Sequence, residues 1–412
     1  MAILLSNIKM LAGVRESNQL LREDELKELA CIHDAFVVIE NDRIADYGKM
    51  EDFSKAVTSF EENYNCTDKI ILPCWCDSHT HLVFAGSREA EFVDKVKGLS
   101  YEEIAARGGG ILNSAEKLNA TSEEELYRQS YKRLEEVIRL GTGAIEIKSG
   151  YGLSVDGELK ILRVIQRLKK TAKIPVRATF LGAHTIPSTY KNNREGYIKL
   201  IIDEMLPVIG KEKLADYIDV FCEQGFFTPE ETETICRAGL QYGLKPKIHA
   251  NQLHISGGVQ AGVKLNAISV DHLEAMDEHA IQTLASSSTI GTLLPSAAFF
   301  LRMPFQPARS LIDAGCAIAL ASDFNPGSSP SGNMNLVIAL SCIQMKMLPE
   351  EAINAATING AYAMEVQEVA GSITIGKKAN LIMTKEIPSL AYLPYAFGSN
   401  LIEKVMIDGI WM

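Results

Sequence analysis

The segment CDSHTHLV, residues 76–83, sets His79 and His81 two positions apart at the end of the apolar run KIILPCWCDS. In an extended chain, residues i and i+2 project to the same side, so both imidazoles can reach one ion at about 2.0–2.2 Å. The same pair could equally be two hydrogen-bonded histidines at the exit of a buried strand, and the spacing alone does not separate the two. Further residues able to do chemistry follow at the ends of later apolar runs: Lys148, His184, Glu223, His249, His272 and Asp323. Joined by His249 and Asp323, the His-x-His pair becomes a set of three nitrogens and one oxygen. Such a set suits Zn or Fe and leaves room for a water, which is how a metal-dependent hydrolase is equipped.

Elements that would hold these residues at one place can be read from hydrophobic periodicity. Strands are expected at 69–76, 141–149, 176–184, 217–224, 245–250, 266–273, 288–294 and 316–323, with helical, charged segments between them. Repeated strand-then-helix order implies a parallel sheet with helices outside it. Eight such units in about 255 residues, with no G-x-G-x-x-G after the first, predict an α/β fold of the (β/α)8 barrel type rather than an open doubly wound sheet. In that barrel, chemistry belongs at the C-terminal ends of the strands, where five of the eight histidines gather. Residues 1–68 and 366–412 carry short β-like runs, among them AFVVIENDRIADYG and LIEKVMIDGIWM. They are expected to pair as a small β-sandwich domain built from both termini, leaving 69–365 to the barrel.

Composition narrows the function classes. The 412 residues are 47% hydrophobic and 23% charged, with a net charge of −11 spread along the chain rather than blocked, which argues against a nucleic-acid or anionic-membrane surface. No window of about 18 uncharged apolar residues occurs and the N-terminus lacks a cleavage pattern, so a cytoplasmic enzyme with a small-molecule substrate is expected. Eight dispersed cysteines without a C-x-x-C pair read as reduced thiols, Cys74 and Cys76 as small apolar strand residues.

Several of these segments together resemble the amidohydrolase superfamily: CDSHTHLVFAGSREAEF (76–92), SYEEIAARGGGI (100–111), EIKSGYGL (146–153), TFLGAHTIP (179–187), HANQLHISGG (249–258), DHLE (271–274) and SDFNPGSSPSGNM (322–334). DFNPGSSP combined with HLVFAGSRE narrows the resemblance to the branch that hydrolyses the ring amide of 4-imidazolone-5-propanoate to N-formimidoyl-L-glutamate. The resemblance implies His79, His81, His249 and Asp323 as ligands of one metal ion, Zn or Fe, because the fourth strand has no lysine to bridge a second. Asp323 is then the group that takes the proton of the attacking water, and His272 hydrogen-bonds that water or the developing oxyanion. Arg88 matches the clamp for the substrate carboxylate, Tyr151 and His184 match substrate-contacting positions, and Asn325, Gly327 and Ser328 lie in the loop expected to hold substrate. Lys148, on the second strand, is expected to be structural or electrostatic. A homodimer is the family expectation.

The chain departs from the family pattern where HANQ places Gln252 at a position usually occupied by glutamate. An amide can hydrogen-bond a substrate ring but cannot carry a proton, which shifts proton transfer onto Asp323, His272 or water. The three glycines at 108–110 read either as a site of close backbone approach or as a flexible helix end. Hydrolysis of a different small cyclic amide or amidine is the alternative activity, and a catalytically silent metal-binding scaffold is a third.

Overall fold

The computed structural model describes residues 2–53, 60–99 and 110–412; of the segment 100–111, only Gly110 and Ile111 lie within the described residues. The N-terminal part forms β1 (Ala2–Ala12), β2 (Cys31–Glu40), β3 (Arg43–Lys49), β4 (Glu62–Asn65) and β5 (Ile70–Pro73). Next come β6 (Trp75–Asp77), β7 (Thr142–Lys148), β8 (Val176–Ala183), β9 (Tyr217–Cys222), β10 (Lys245–Ala250), β11 (Ser269–His272), β12 (Ile290–Leu293) and β13 (Ile318–Leu320). The chain closes with β14 (Leu381–Thr384), β15 (Ile402–Ile407) and β16 (Ile410–Trp411).

Strands from both ends of the chain pair in one sheet, ordered β16-β15-β14-β5-β1-β2-β3 with β4 parallel to β1. Asn41, at φ +59°, makes the turn between β2 and β3, a backbone region that Asn tolerates better than most residues. Ile3, Leu5, Val37, Ile39, Leu381 and Met406 share one apolar core on this sheet.

Strands β6 to β13 lie side by side in sequence order, and their registered pairings are all parallel. The two edge strands approach each other just past their ends: Thr80 bridges Phe324, the His81 amide donates to Phe324 O at 2.9 Å, and the Asp323 amide donates to His79 O at 3.0 Å. These bonds nearly close the sheet into a (β/α)8 barrel and join the His-x-His segment to Asp323. The run 69–76, expected as one strand, is two: β5 belongs to the terminal sheet, and only β6 enters the barrel. Pro73 and Cys74 lie at the switch, and Cys74 donates its amide to Asn380 O rather than to a barrel strand.

Outer helices follow the usual rules. Those at Glu123–Arg139 and Val155–Thr171 start on Ser122 and Ser154, whose hydroxyls accept from the Glu125 and Gly157 amides. Their buried faces repeat at helical spacing, Leu126, Leu134 and Val137 on one, Leu162, Ile165 and Leu168 on the other. Each such side chain stabilises the fold by about 1.5–3 kcal/mol. Among the described residues no helix is long and apolar enough to cross a membrane.

Side chains inside the barrel are not the branched apolar layers usual for this fold. Glu146, Lys148, Asp219, Lys247 and Asp271 all point into it with no solvent exposure.

Candidate metal centre and active site

Alternation along β10 puts Lys247 and His249 on the same inward side, and alternation along β7 does the same for Glu146 and Lys148. On β11, Asp271 and His272 are consecutive, so a regular strand would send them to opposite faces. His272 has φ +88° and Leu273 φ +67°, and this positive-φ exit turns the imidazole back into the mouth. Asp323, at φ +54°, leaves β13 in the same manner.

These backbone turns bring four imidazoles and a carboxylate together. Ring centroids of His79 lie 5.4 Å from His81, 4.5 Å from His249 and 5.6 Å from His272. Asp323 Oδ1 is 3.6 Å from His79 Nε2 and 3.7 Å from His81 Nε2. Ligand atoms of His79, His81 and His249 lie within 4.8 Å of one another, as do those of His79, His272 and Asp323. All five residues are at most 3% exposed, which keeps bulk water from competing at their donor atoms.

Two carboxylates set the histidine tautomers. Asp271 Oδ2 accepts from His79 Nδ1 at 2.6 Å, and Asp219 Oδ2 accepts from His249 Nδ1 at 2.9 Å, so the protons sit on Nδ1 and each Nε2 is left bare. Burial pushes His79, His81 and His249 well below the usual imidazole range, with neighbouring cations and imidazoles adding to the effect. Neutral rings with an exposed lone pair are the metal-binding form. His79 Nε2 is buried without a hydrogen-bond partner among the described residues, an orphan that an ion would satisfy. The donor set therefore fits a metal cofactor.

His272 differs from the other three. Burial opposes its protonation, but Glu274, whose Oε1 lies 3.4 Å from Nδ1, together with the charges of Asp323 and Asp271 outweighs that and raises it above the ordinary histidine value. Glu274 is held in turn by Gln306 Nε2 at 2.9 Å. Asp323 is pushed up to about 6 by burial, against the pull of His272 and of the Ser328 hydroxyl, which donates to Oδ2 at 3.0 Å.

Arg88 lies on the rim. Its Nε donates to Ser114 Oγ at 2.8 Å, its guanidinium carbon is 5.8 Å from the Tyr151 ring centre, and Nη2 is buried with no hydrogen-bond partner among the described residues. A Cβ at Gly327 would stand 2.6 Å from Arg88 Nη1, so a side chain there would push the guanidinium aside. Tyr151 and His184 flank His81, at 5.8 and 5.5 Å between ring centres, and Gly150 O accepts from His184 Nδ1 at 3.0 Å. The Tyr151 loop is tied down by the buried Glu158 carboxylate, which accepts from the Gly150, Gly152 and Leu153 amides at 2.7–2.9 Å.

Asn325 and Ser328, expected to hold substrate, are engaged inside their own turn. Asn325 Oδ1 accepts from the Gly327 and Ser328 amides, and its Nδ2 donates to Asp323 O and Ser328 Oγ, so this loop orients Asp323. Glu223 turns away to accept from the Leu253 amide and pair with His254, fixing the loop that carries the half-buried Gln252. Asp219, Asp271, Glu274, Glu158 and Ser114 were not singled out from sequence. Inward parity two residues before a ligand marks Lys247, whose strand partner in register is Asp219.

The profile of the amidohydrolase family matches residues 70–412. A protein from Flavobacterium johnsoniae named imidazolonepropionase is 59% identical over 410 residues, 99% of each chain. Proteins of the same name from Geobacillus sp. and Parabacteroides distasonis are each 40% identical, over 98% and 94% of this chain and 95% and 93% of theirs. Among solved structures, E. coli guanine deaminase has a TM-score of 0.72 at 11% identity, covering 100% of this chain and 99% of that one. A triazine hydrolase variant has a TM-score of 0.73 at 15% identity, covering 100% and 94%. An adenosine deaminase from Xanthomonas campestris with bound zinc reaches 0.69 at 15%, covering 99% and 92%; these three share the fold.

Proposed function

The chain belongs to the amidohydrolase family, in its imidazolonepropionase branch, and we propose how the residues of its barrel mouth carry out that branch's reaction. The reaction is hydrolysis of the ring amide of 4-imidazolone-5-propanoate to N-formimidoyl-L-glutamate, a step of histidine degradation. The observation that carries the residue assignment is the bare, buried Nε2 of His79 among His81, His249 and Asp323, in a mouth whose rim holds the unpartnered Nη2 of Arg88.

His79, His81, His249 and Asp323 would hold one ion, Zn or Fe. When bound, such an ion supplies Lewis acidity that activates a water and polarises the ring carbonyl. Arg88 takes the substrate's propanoate on its free guanidinium edge, where a planar fork matches two carboxylate oxygens. Ser114 and Gly327 fix that edge by bonding Nε and by leaving room beside Nη1. His272, whose protonation Glu274 favours, donates to the carbonyl oxygen as charge develops there. Asp323, oriented by the Ser328 hydroxyl, accepts the proton of the attacking water and then returns that proton to the leaving ring nitrogen. Gln252 hydrogen-bonds the ring without transferring a proton.

The test is turnover of freshly prepared 4-imidazolone-5-propanoate by metal-replete protein, followed by identification of the product. N-formimidoyl-L-glutamate is expected. Preferential turnover of a hydantoin, dihydropyrimidine or aminated heterocycle would instead favour a different cyclic substrate.

A further inference from the structure

One buried ammonium touches both of the carboxylates that orient the candidate ligands. Lys148 Nζ lies 2.8 Å from Asp219 Oδ2 and 3.4 Å from Asp271 Oδ2. On each carboxylate this is the same oxygen that accepts from the histidine, His249 on Asp219 and His79 on Asp271. From β7, a single side chain thus meets the supports of ligands just past β6 and on β10 through residues on β9 and β11. A third carboxylate, Glu146, holds Lys148 at 2.7 Å and is fixed by Thr179 at 2.6 Å and by Lys247. Every group in this cluster is shut off from solvent, so the contacts act in a medium that weakens them far less than water would.

Charge balance alone does not account for this placement. Three carboxylates and two ammonium groups would stay equally matched if Lys148 bonded Glu146 only. Instead it stands where both histidine-bearing oxygens converge. There it fixes the two carboxylates relative to each other and draws electron density from both, which restrains how strongly each imidazole donates.

We propose that Lys148 is a positioning residue for the metal centre: it clasps Asp219 and Asp271 together, setting the separation and donor strength of His249 and His79. The proposal rests on the metal-site reading above, but it is read out by metal binding and does not depend on which substrate is turned over.

The experiment measures Zn²⁺ affinity of the full chain by chelator competition and, on Co²⁺-loaded protein, the visible absorption of the ion. Near-UV circular dichroism of the metal-free protein serves as the check on folding. Lys148→Met removes the clasp. Lys148→Met/Glu146→Gln removes it while preserving the net charge of the buried cluster, so this variant stays folded if the single change does not. Lys148→Arg keeps the charge and displaces the donor. Loss of about 10- to 100-fold in Zn²⁺ affinity, with a shifted Co²⁺ spectrum, is expected in both Met variants, the range found when partners of metal ligands are removed. A smaller loss is expected for Lys148→Arg. Wild-type affinity and spectrum in the double variant would overturn the proposal, since Lys148 would then serve charge balance alone. A folded Lys148→Arg protein indistinguishable from wild type would overturn the positional part. If Zn²⁺ is not bound at His79, His81 and His249 even by the wild-type chain, the metal-site reading itself fails, and that outcome is distinct.

Discussion

The two sides of the barrel mouth are built differently. On the histidine side, His79 and His249 have carboxylate partners behind them, and those carboxylates share a buried lysine. On the rim side, Arg88 bonds Ser114, lies 4.0 Å from Glu91 and has a guanidinium nitrogen with no hydrogen-bond partner among the described residues, while Gln252 sits half-buried on a loop. Reaction chemistry needs donors fixed to a few tenths of an ångström and therefore draws on strands of the barrel, whose positions the sheet already determines. Recognition of a small carboxylate tolerates more freedom and is assigned to loops, where an unpaired donor waits for the ligand.

If that division holds, substitutions on the histidine side act on the metal and on kcat, and those on the rim act on KM. The largest effect is expected for Asp323→Asn, which keeps the shape of the side chain but cannot take a proton; kcat should fall about 1,000-fold, measured as initial rate at saturating substrate. Asp271→Asn should weaken metal binding about 10- to 100-fold, read by dialysis against graded chelator, with activity restored by excess metal. Unchanged metal affinity there would erase the contrast between the two sides. Arg88→Met should raise KM about 10- to 100-fold with kcat little altered, the pattern for a charged hydrogen bond made equally in ground and transition states. A drop in kcat of the same size would move Arg88 to the chemical side. Ser114→Ala should raise KM only about 2- to 10-fold, the scale of one hydrogen bond. Smallest of all, Gln252→Glu should leave kcat changed by far less than the roughly 100-fold that a working general acid contributes, because the proposed mechanism has Asp323 carry the proton.

Much of this could be read from the sequence, for reasons that differ by region. Strand-then-helix order marked the barrel because each strand is a short apolar run and each outer helix shows one buried stripe. His79, His81, His249, His272 and Asp323 were visible because all lie at the ends of those runs. Their partners were hidden for two reasons. Asp219 and Glu146 lie in the middle of strands, where only inward parity and the register of neighbouring strands show which side chains meet. Asp271 and His272 are adjacent, and nothing in the letters announces the positive φ at His272 that lets both face the site. The first barrel strand was read too long because β5 and β6 form one continuous apolar stretch, and pairing with Met10 and Leu11 on one side and Leu381, Ile382 and Met383 on the other assigns its first half to the terminal sheet. Asn325 and Ser328 are legible as polar loop residues, but the sequence does not announce that their hydrogen bonds close a turn around Asp323.

The central claim is that hydrolysis depends on one ion held by His79, His81, His249 and Asp323. Its most direct test is stepwise addition of Zn²⁺ or Fe²⁺ to metal-free protein with 4-imidazolone-5-propanoate as substrate. Activity should rise linearly and stop at one equivalent per chain. Full activity without added metal, or a rise that continues to two equivalents, would contradict the account.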